Sequence, residues 1–166
     1  MKKQLLIGCG SRRVNLTGRV WEELVTLDIN PAHDPDVLHD LTVLPLPFRD
    51  DEFDEIHAYE ILEHTGQQGD YRFFFAQFQE FWRILKPDGL FIATVPHWQG
   101  LWAWGDPGHT RVINEGTLVF LCQEEYTKQL GKTPMSDYRQ YFSGDFGVVD
   151  LKKTPESLAF ILVAKK

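Results

Sequence analysis

The first apolar run of the chain, Leu5-Leu6-Ile7, stops abruptly at Gly8-Cys9-Gly10, and the next, roughly Leu24 to Ile29, carries an isolated acid, Asp28, before Asn30-Pro31. No other feature restricts the fold as tightly. A run apolar at every position reads as a parallel strand covered on both faces. Glycines at its exit turn the backbone sharply and leave no side chain between main chain and ligand. An acid at the tip of the neighbouring strand stands where open α/β sheets hydrogen-bond both hydroxyls of a ribose. Alone, the glycines would only shape a tight strand exit and Asp28 would be a solvated loop acid. Together they point to a ligand containing a nucleoside.

The link between these two strands is short. A parallel crossover normally takes a dozen or more residues beyond its loops, and Asn15-Leu16-Thr17-Gly18 reads as a turn. A short helical turn or an irregular link is therefore expected where a first crossover helix would stand. Val37-Leu38-His39 offers a brief third strand ending at Asp40. The prolines of Leu44-Pro45-Leu46-Pro47-Phe48 exclude a central strand there, so this stretch reads as a loop with inward leucines. Phe53 to Tyr59 is a fourth strand leading into Glu60-Ile61-Leu62-Glu63-His64.

Asp70 is placed to cap a helix. Tyr71, Phe74, Phe75, Phe78, Trp82 and Leu85 then recur at spacings of three and four, the signature of one apolar helix face packed on a sheet. Lys86-Pro87-Asp88-Gly89 reads as a stop and turn before a fifth strand, Leu90 to Val95. Residues 97–113 carry Trp98, Trp102 and Trp104 with His97, Asp106, His109 and Arg111, a content unlike an ordinary connection. Asn114-Glu115-Gly116 is expected to cap a helix through about Leu130. Tyr138 to Asp150 and Leu158 to Ala164 complete seven strand candidates. The alternation argues for an open α/β sheet, and the lack of a helical pattern between the last two strands predicts an antiparallel edge hairpin.

Length bounds the organisation: 166 residues fit one domain, taken as residues 1–166. A net charge of −7 argues against a broad polyanion-binding surface, so nucleic acid is not the expected partner, although Lys2, Lys3, Arg12, Arg13 and Arg19 are grouped near the start. Cys9 and Cys122 are too few for a disulfide framework or a thiolate metal site. No apolar run approaches a membrane span and no signal-peptide core is visible, so a cytoplasmic protein without membrane association is expected.

The segments LLIGCGS (5–11), TLDINP (26–31), HDLTVLPLPFRDDEFDEIHAYEILEH (39–64) and RILKPDGLFIATVPH (83–97) together resemble class I S-adenosylmethionine-dependent methyltransferases, in particular a compact, short-form subgroup. The resemblance implies a Rossmann-like, open, mostly parallel seven-stranded sheet whose seventh strand runs antiparallel beside the fifth. It implies S-adenosylmethionine as cofactor. Gly8, Cys9 and Gly10 would pass their backbone close to its methionyl part. Asp28 would hold the ribose hydroxyls with Ile29 against the adenine face. Asp40 would accept from the adenine amino group, the Leu41 amide would reach the ring, and Tyr59 and Glu60 would border the sulfonium. Arg12 stands where the family often has a third glycine.

Methyl transfer from a sulfonium is an in-line displacement, and the protein's main task is alignment. A base can assist when the acceptor must lose a proton. His97, just past strand five, ranks first for that role and His109 second, each set against a purely structural hydrogen-bonding reading. Glu63 reads as a cap of the loop after strand four, and Cys9 as a small residue in a tight turn. Asp106 and His109 are too scattered to make a recognisable metal site, so no metal is expected. The function expected is methyl transfer to a small or modest-sized acceptor bound under residues 97–113. An S-adenosylmethionine-binding subunit without independent activity is the alternative. A nicotinamide-dependent oxidoreductase is disfavoured, because its glycines open a full helix and Asp40 has no role in it.

Overall fold

A computed structural model describes all residues 1–166. It holds one seven-stranded sheet of order β3-β2-β1-β4-β5-β7-β6. The strands are β1 (Lys3–Ile7), β2 (Glu23–Asp28), β3 (Val37–Leu38), β4 (Phe53–Tyr59), β5 (Leu85–Pro96), β6 (Phe146–Lys153) and β7 (Ser157–Ala164). β1 to β5 are parallel where they pair, and β7 runs antiparallel to both β5 and β6. The predicted fold class and edge hairpin are therefore observed. No helix is long and apolar enough to cross a membrane.

One face of the sheet packs on helix α1 (Tyr71–Ile84). Asp70 caps it by accepting the Phe73 amide at 3.1 Å. Phe74, Phe75, Phe78, Phe81 and Ile84 are buried against Leu5, Ile7, Ile56, Ala58, Phe91, Ala93 and Phe160. Each such side chain contributes about 1.5–3 kcal/mol through the apolar surface it removes from water. The aromatic stripe is thus a core face, wider than the sequence spacing suggested because Phe81 and Ile84 join it.

The opposite face has no crossover helix between β1 and β2. An irregular link takes its place, as the short spacing predicted, and polar anchors hold it. The Glu55 carboxylate on β4 accepts from Lys2 Nζ at 2.7 Å, Gln4 Nε2 at 2.7 Å and both terminal nitrogens of Arg19 at 3.0 Å. The Trp21 ring packs edge-on against His57, centroids 4.7 Å apart, and Trp21 Nε1 donates to the Arg13 carbonyl. The basic residues grouped near the start are largely committed to this work. Lys3 pairs with Glu52 at 2.8 Å, and Arg13 donates to the carbonyls of His33 and Asp34.

Three boundaries differ from expectation. Lys86-Pro87-Asp88-Gly89 is a bulge inside β5 and not a turn before it: Leu85 already pairs with Phe53, and pairing resumes at Leu90 opposite Glu55. The helix expected from Asn114 to about Leu130 is two, separated by residues 120–122. Leu121 turns into the core and its carbonyl accepts the Phe146 amide, while Asp145 Oδ1 accepts the Gln123 amide that opens the second helix. The strand expected from Tyr138 starts only at Phe146. Tyr138 and Phe142 sit in a turn instead, because their rings pack on Phe75 of α1 at 5.1 and 5.9 Å.

Candidate active site

The predicted cofactor-side residues gather at the carboxyl ends of β1, β2, β3 and β4. Gly8 and Gly10 both have positive φ, +59° and +54°. A Cβ on Gly8 would lie 2.5 Å from Ile61 Cγ1, so the tips of β1 and β4 meet only because this residue has no side chain. A Cβ on Gly10 would meet nothing within 4 Å, so its glycine serves the turn itself. Cys9 is buried between them and its amide donates to the Leu27 carbonyl at 3.2 Å.

Asp28 is buried at the end of β2. Its Oδ2 accepts the Gly10 amide at 2.9 Å and its Oδ1 the Asn30 amide at 2.8 Å, and His33 Nδ1 lies 3.0 Å away. Burial by itself raises the carboxyl's pKa, but the Asn30 and Gly10 amides and His33 outweigh it and hold the group below the usual range. An ionised carboxylate has about four acceptor sites, so two amides leave room for further donors. Asp40 follows β3, whose Leu38 pairs with Asp28. Its Oδ1 accepts both the amide and the hydroxyl of Thr42 at 2.8 Å, which leaves Oδ2 free. The Leu41 amide donates to no protein group. Exposed Ile29, Leu38 and Val43 supply apolar surface beside the two acids. This donor and acceptor set fits an adenosine.

Tyr59 and Glu60 diverge. The Tyr59 hydroxyl lies 2.6 Å from His57 Nδ1 and its ring joins the face under the irregular link. Glu60 sits at φ +49°, a conformation few non-glycine residues adopt. Such strain concentrates at functional sites, and only the structure reveals it. The Glu60 amide donates to the Thr94 carbonyl at 2.9 Å, fixing the strand tip.

The tryptophan-bearing segment is strapped to the stretch after β4. Thr110 donates its amide to the Glu63 carbonyl at 2.9 Å, and Gln68 donates to the Thr110 carbonyl at 2.9 Å. Arg111 is buried. Its Nε donates to the Leu62 carbonyl at 2.8 Å, and its Nη2 to Thr65 Oγ1 at 3.0 Å and to Gln77 of α1. Burial lowers its pKa to about 10. Trp98, Trp102 and Trp104 are 41%, 58% and 67% exposed, so they do not form a satellite core.

The two histidines proposed as bases fall in separate clusters. His97 is buried past the end of β5, its amide donates to the Glu156 carbonyl at 2.9 Å, and its Nδ1 has no partner. His109 packs edge-on against His64, centroids 4.6 Å apart, with Glu63 below. Glu63 is not the loop cap expected from the sequence: it is buried and neither carboxylate oxygen accepts a hydrogen bond. Burial, with the negative charges of Glu60 and Asp106, pushes its pKa up to about 8 against the opposing pull of its own main-chain amide and of Arg111. A groove lined by Tyr71, Phe74, Phe75, Arg111, Phe120 and Tyr138 opens on the α1 side and contains none of the cofactor-side residues.

A sheet of this order, with only β7 reversed and with a glycine turn and an acid at the tips of its first two strands, defines the class I methyltransferase fold. The family described as "Methyltransferase domain" matches residues 5–93, more than half of the chain, and the chain belongs to that family. No curated protein sequence matches it significantly. Solved structures resemble it over nearly its whole length. A SAM-dependent methyltransferase from Archaeoglobus fulgidus is 16% identical with a TM-score of 0.63, over 98% of this chain and 86% of that one. An S-adenosylmethionine-dependent methyltransferase from Mesorhizobium loti is 15% identical with a TM-score of 0.58, over 98% and 90%. N-methyltransferase NodS from Bradyrhizobium japonicum, solved with S-adenosyl-L-homocysteine, is 13% identical with a TM-score of 0.59, over 99% and 79%.

Proposed function

We propose that this methyltransferase, acting as a single domain over residues 1–166, transfers a methyl group from S-adenosylmethionine to a small or modest-sized acceptor. The observation that carries the reading is the pair of acids, Asp28 and Asp40, on adjacent strand tips beside the Gly8–Gly10 turn. Family membership and the homocysteine product bound by one structural relative support the cofactor. When bound, S-adenosylmethionine supplies a methyl group already activated on sulfur.

The chain's residues then have assignable tasks. Asp28 binds the ribose hydroxyls, Ile29 covers one face of the adenine, and Asp40 Oδ2 with the Leu41 amide reads the ring edge. The backbone of Gly8, Cys9 and Gly10 borders the methionyl part, and the main chain at the tip of β4, at Tyr59 and Glu60, borders the reacting end. Exposed Trp98, Trp102 and Trp104 supply stacking surface for the acceptor. Alignment of acceptor and donor is the main catalytic contribution, about 7–11 kcal/mol in favourable intramolecular cases. His97 is the candidate base, because its Nδ1 is left without a partner; such a base adds roughly 10²–10⁴-fold.

Calorimetric titration tests the reading. Binding of S-adenosylmethionine and S-adenosyl-L-homocysteine but not of NAD supports it, and NAD binding alone overturns it. Transfer of labelled methyl to one member of a panel of hydroxyl, amine and carboxyl acceptors identifies the substrate class.

A further inference from the structure

Beside the strand tips lies a cluster of side chains that the methyl-transfer reading leaves without a task. Glu63 and His64 come from the short 3-10 turn Leu62–His64 after β4, and His109 comes from the tryptophan-bearing strap. One donor atom from each lies within 4.8 Å of the others. The strap's backbone bonds to Glu63 and Gln68 bring these distant parts of the sequence together.

Hydrogen bonding within the protein does not account for the arrangement. Glu63 is 2% exposed and both its oxygens lack partners. A buried carboxyl whose oxygens have no hydrogen-bond partner is costly even when protonated, and in its ionised form it is normally paired or coordinates a metal. His109 Nε2 is 4.0 Å from Glu63 Oε1, beyond hydrogen-bond range. His109 Nδ1 lies 2.7 Å from the Trp102 carbonyl, which can only accept, so Nδ1 carries the proton and neutral Nε2 keeps its lone pair. The same argument applies to His64, whose Nδ1 lies 3.1 Å from the Gly108 carbonyl. Backbone carbonyls holding the far nitrogen of each ring are the usual supports of metal-ligating histidines. Arg111 directs Nε and Nη2 to Leu62, Thr65 and Gln77; its Nη1 is buried without a partner, and although its charge favours an ionised Glu63, the two form no salt bridge within 4.0 Å.

We propose that Glu63, His64 and His109 bind a divalent transition-metal ion of the zinc class. Two imidazoles and a carboxylate suit such an ion better than magnesium or calcium, which favour all-oxygen surroundings. Ligands about 2.0–2.2 Å from a tetrahedral ion stand roughly 3.3 Å apart, so from separations of at most 4.8 Å an inward shift of up to about 0.9 Å per ligand atom closes the site. Asp106 Oδ2, 3.8 Å from His109 Nε2, is the next oxygen within reach. Three protein ligands leave an open coordination position, and His64 is the exposed member of the set. This inference stands on the cluster alone and is independent of the cofactor assignment.

The test is a zinc titration of the chelator-stripped full chain in competition with a chromophoric chelator, paired with the visible spectrum of added Co2+. One tight equivalent and a ligand-field band are expected, unmatched by Mg2+ or Ca2+. Glu63→Gln, His64→Gln and His109→Gln should each weaken zinc binding by at least about tenfold, since even outer-shell partners are worth roughly 10–100-fold. His64→Gln alters an exposed side chain, so it decides the matter if either of the other variants fails to fold. Absence of a tight equivalent in the wild type, equal binding of Mg2+, or unchanged zinc affinity in folded His64→Gln overturns the proposal.

Discussion

Asp28 Oδ2 accepts the main-chain amide of Gly10 at 2.9 Å, so one carboxylate both closes the turn after β1 and marks the tip of β2. The ribose assignment and the shape of the glycine turn therefore hang on the same group. Asp28→Ala removes charge-assisted hydrogen bonds to the cofactor, worth about 1.5–3 kcal/mol, or more than tenfold in Kd for S-adenosyl-L-homocysteine. Calorimetry on the folded variant checks it. An unchanged Kd would remove Asp28 from the ribose.

Gly8 and Gly10 should respond differently to alanine although both have positive φ. Gly10→Ala meets open space and carries only the left-handed backbone cost, about 1–2 kcal/mol. Gly8→Ala adds a collision with Ile61, and overpacking typically costs a further 1–3 kcal/mol or so. Urea denaturation should thus rank Gly8→Ala as the less stable. Gly8→Ala combined with Ile61→Ala should recover part of the difference, and strict additivity would show that the two tips do not press on each other.

The anchoring of the irregular link predicts a pH dependence. Burial raises the Glu55 pKa, but Lys2, Gln4, Arg19 and His57 outweigh it and hold the carboxyl at about 2, below its ordinary value of 4.5. A depressed carboxyl favours the folded state fully above the unfolded pKa and loses that contribution as pH falls from about 4.5 toward 2. Lys2 and Arg19 are each nearly half-exposed, so solvent screening reduces the effect to about 1–3 kcal/mol. Glu55→Gln should be less stable than the wild type at pH 7, with the gap narrowing on acidification. A constant gap between pH 7 and pH 3 would count against the network.

The tips of β1 and β2 and the apolar face of α1 were legible in the sequence because they are built from local signals. A glycine turn, an acid ending a strand and an aromatic stripe at helical spacing each fix a position without tertiary help. The break at Phe120–Cys122 was not legible, since it exists to give the Leu121 carbonyl to Phe146 and the Gln123 amide to Asp145, partners more than twenty residues away. The same holds for Glu63. Nothing local distinguishes a loop cap from a carboxylate buried beneath His109, and only the pairing of residues 63–68 with 108–112 decides it. Tyr59 shows the limit of reading a strand tip: it ends β4 as expected, but alternation along the strand turns its ring toward His57.

Trp102 offers the sharpest probe of the acceptor side. Its side chain is 58% exposed, and the contact it makes to His109 Nδ1 comes from its main-chain carbonyl, which alanine retains. Trp102→Ala should therefore change stability by no more than about 0.5 kcal/mol, as exposed substitutions do. If the ring stacks on the acceptor, losing an aromatic contact worth about 0.5–1.5 kcal/mol beyond its buried area should raise the acceptor KM several-fold to tenfold. The Kd for S-adenosyl-L-homocysteine should not move, because the ring lies on the strap and not at the β1–β3 tips. Steady-state kinetics with varied acceptor, set beside calorimetry, separates the cases. An equal loss in both measurements would place Trp102 in the framework and return the acceptor surface to Trp98 and Trp104.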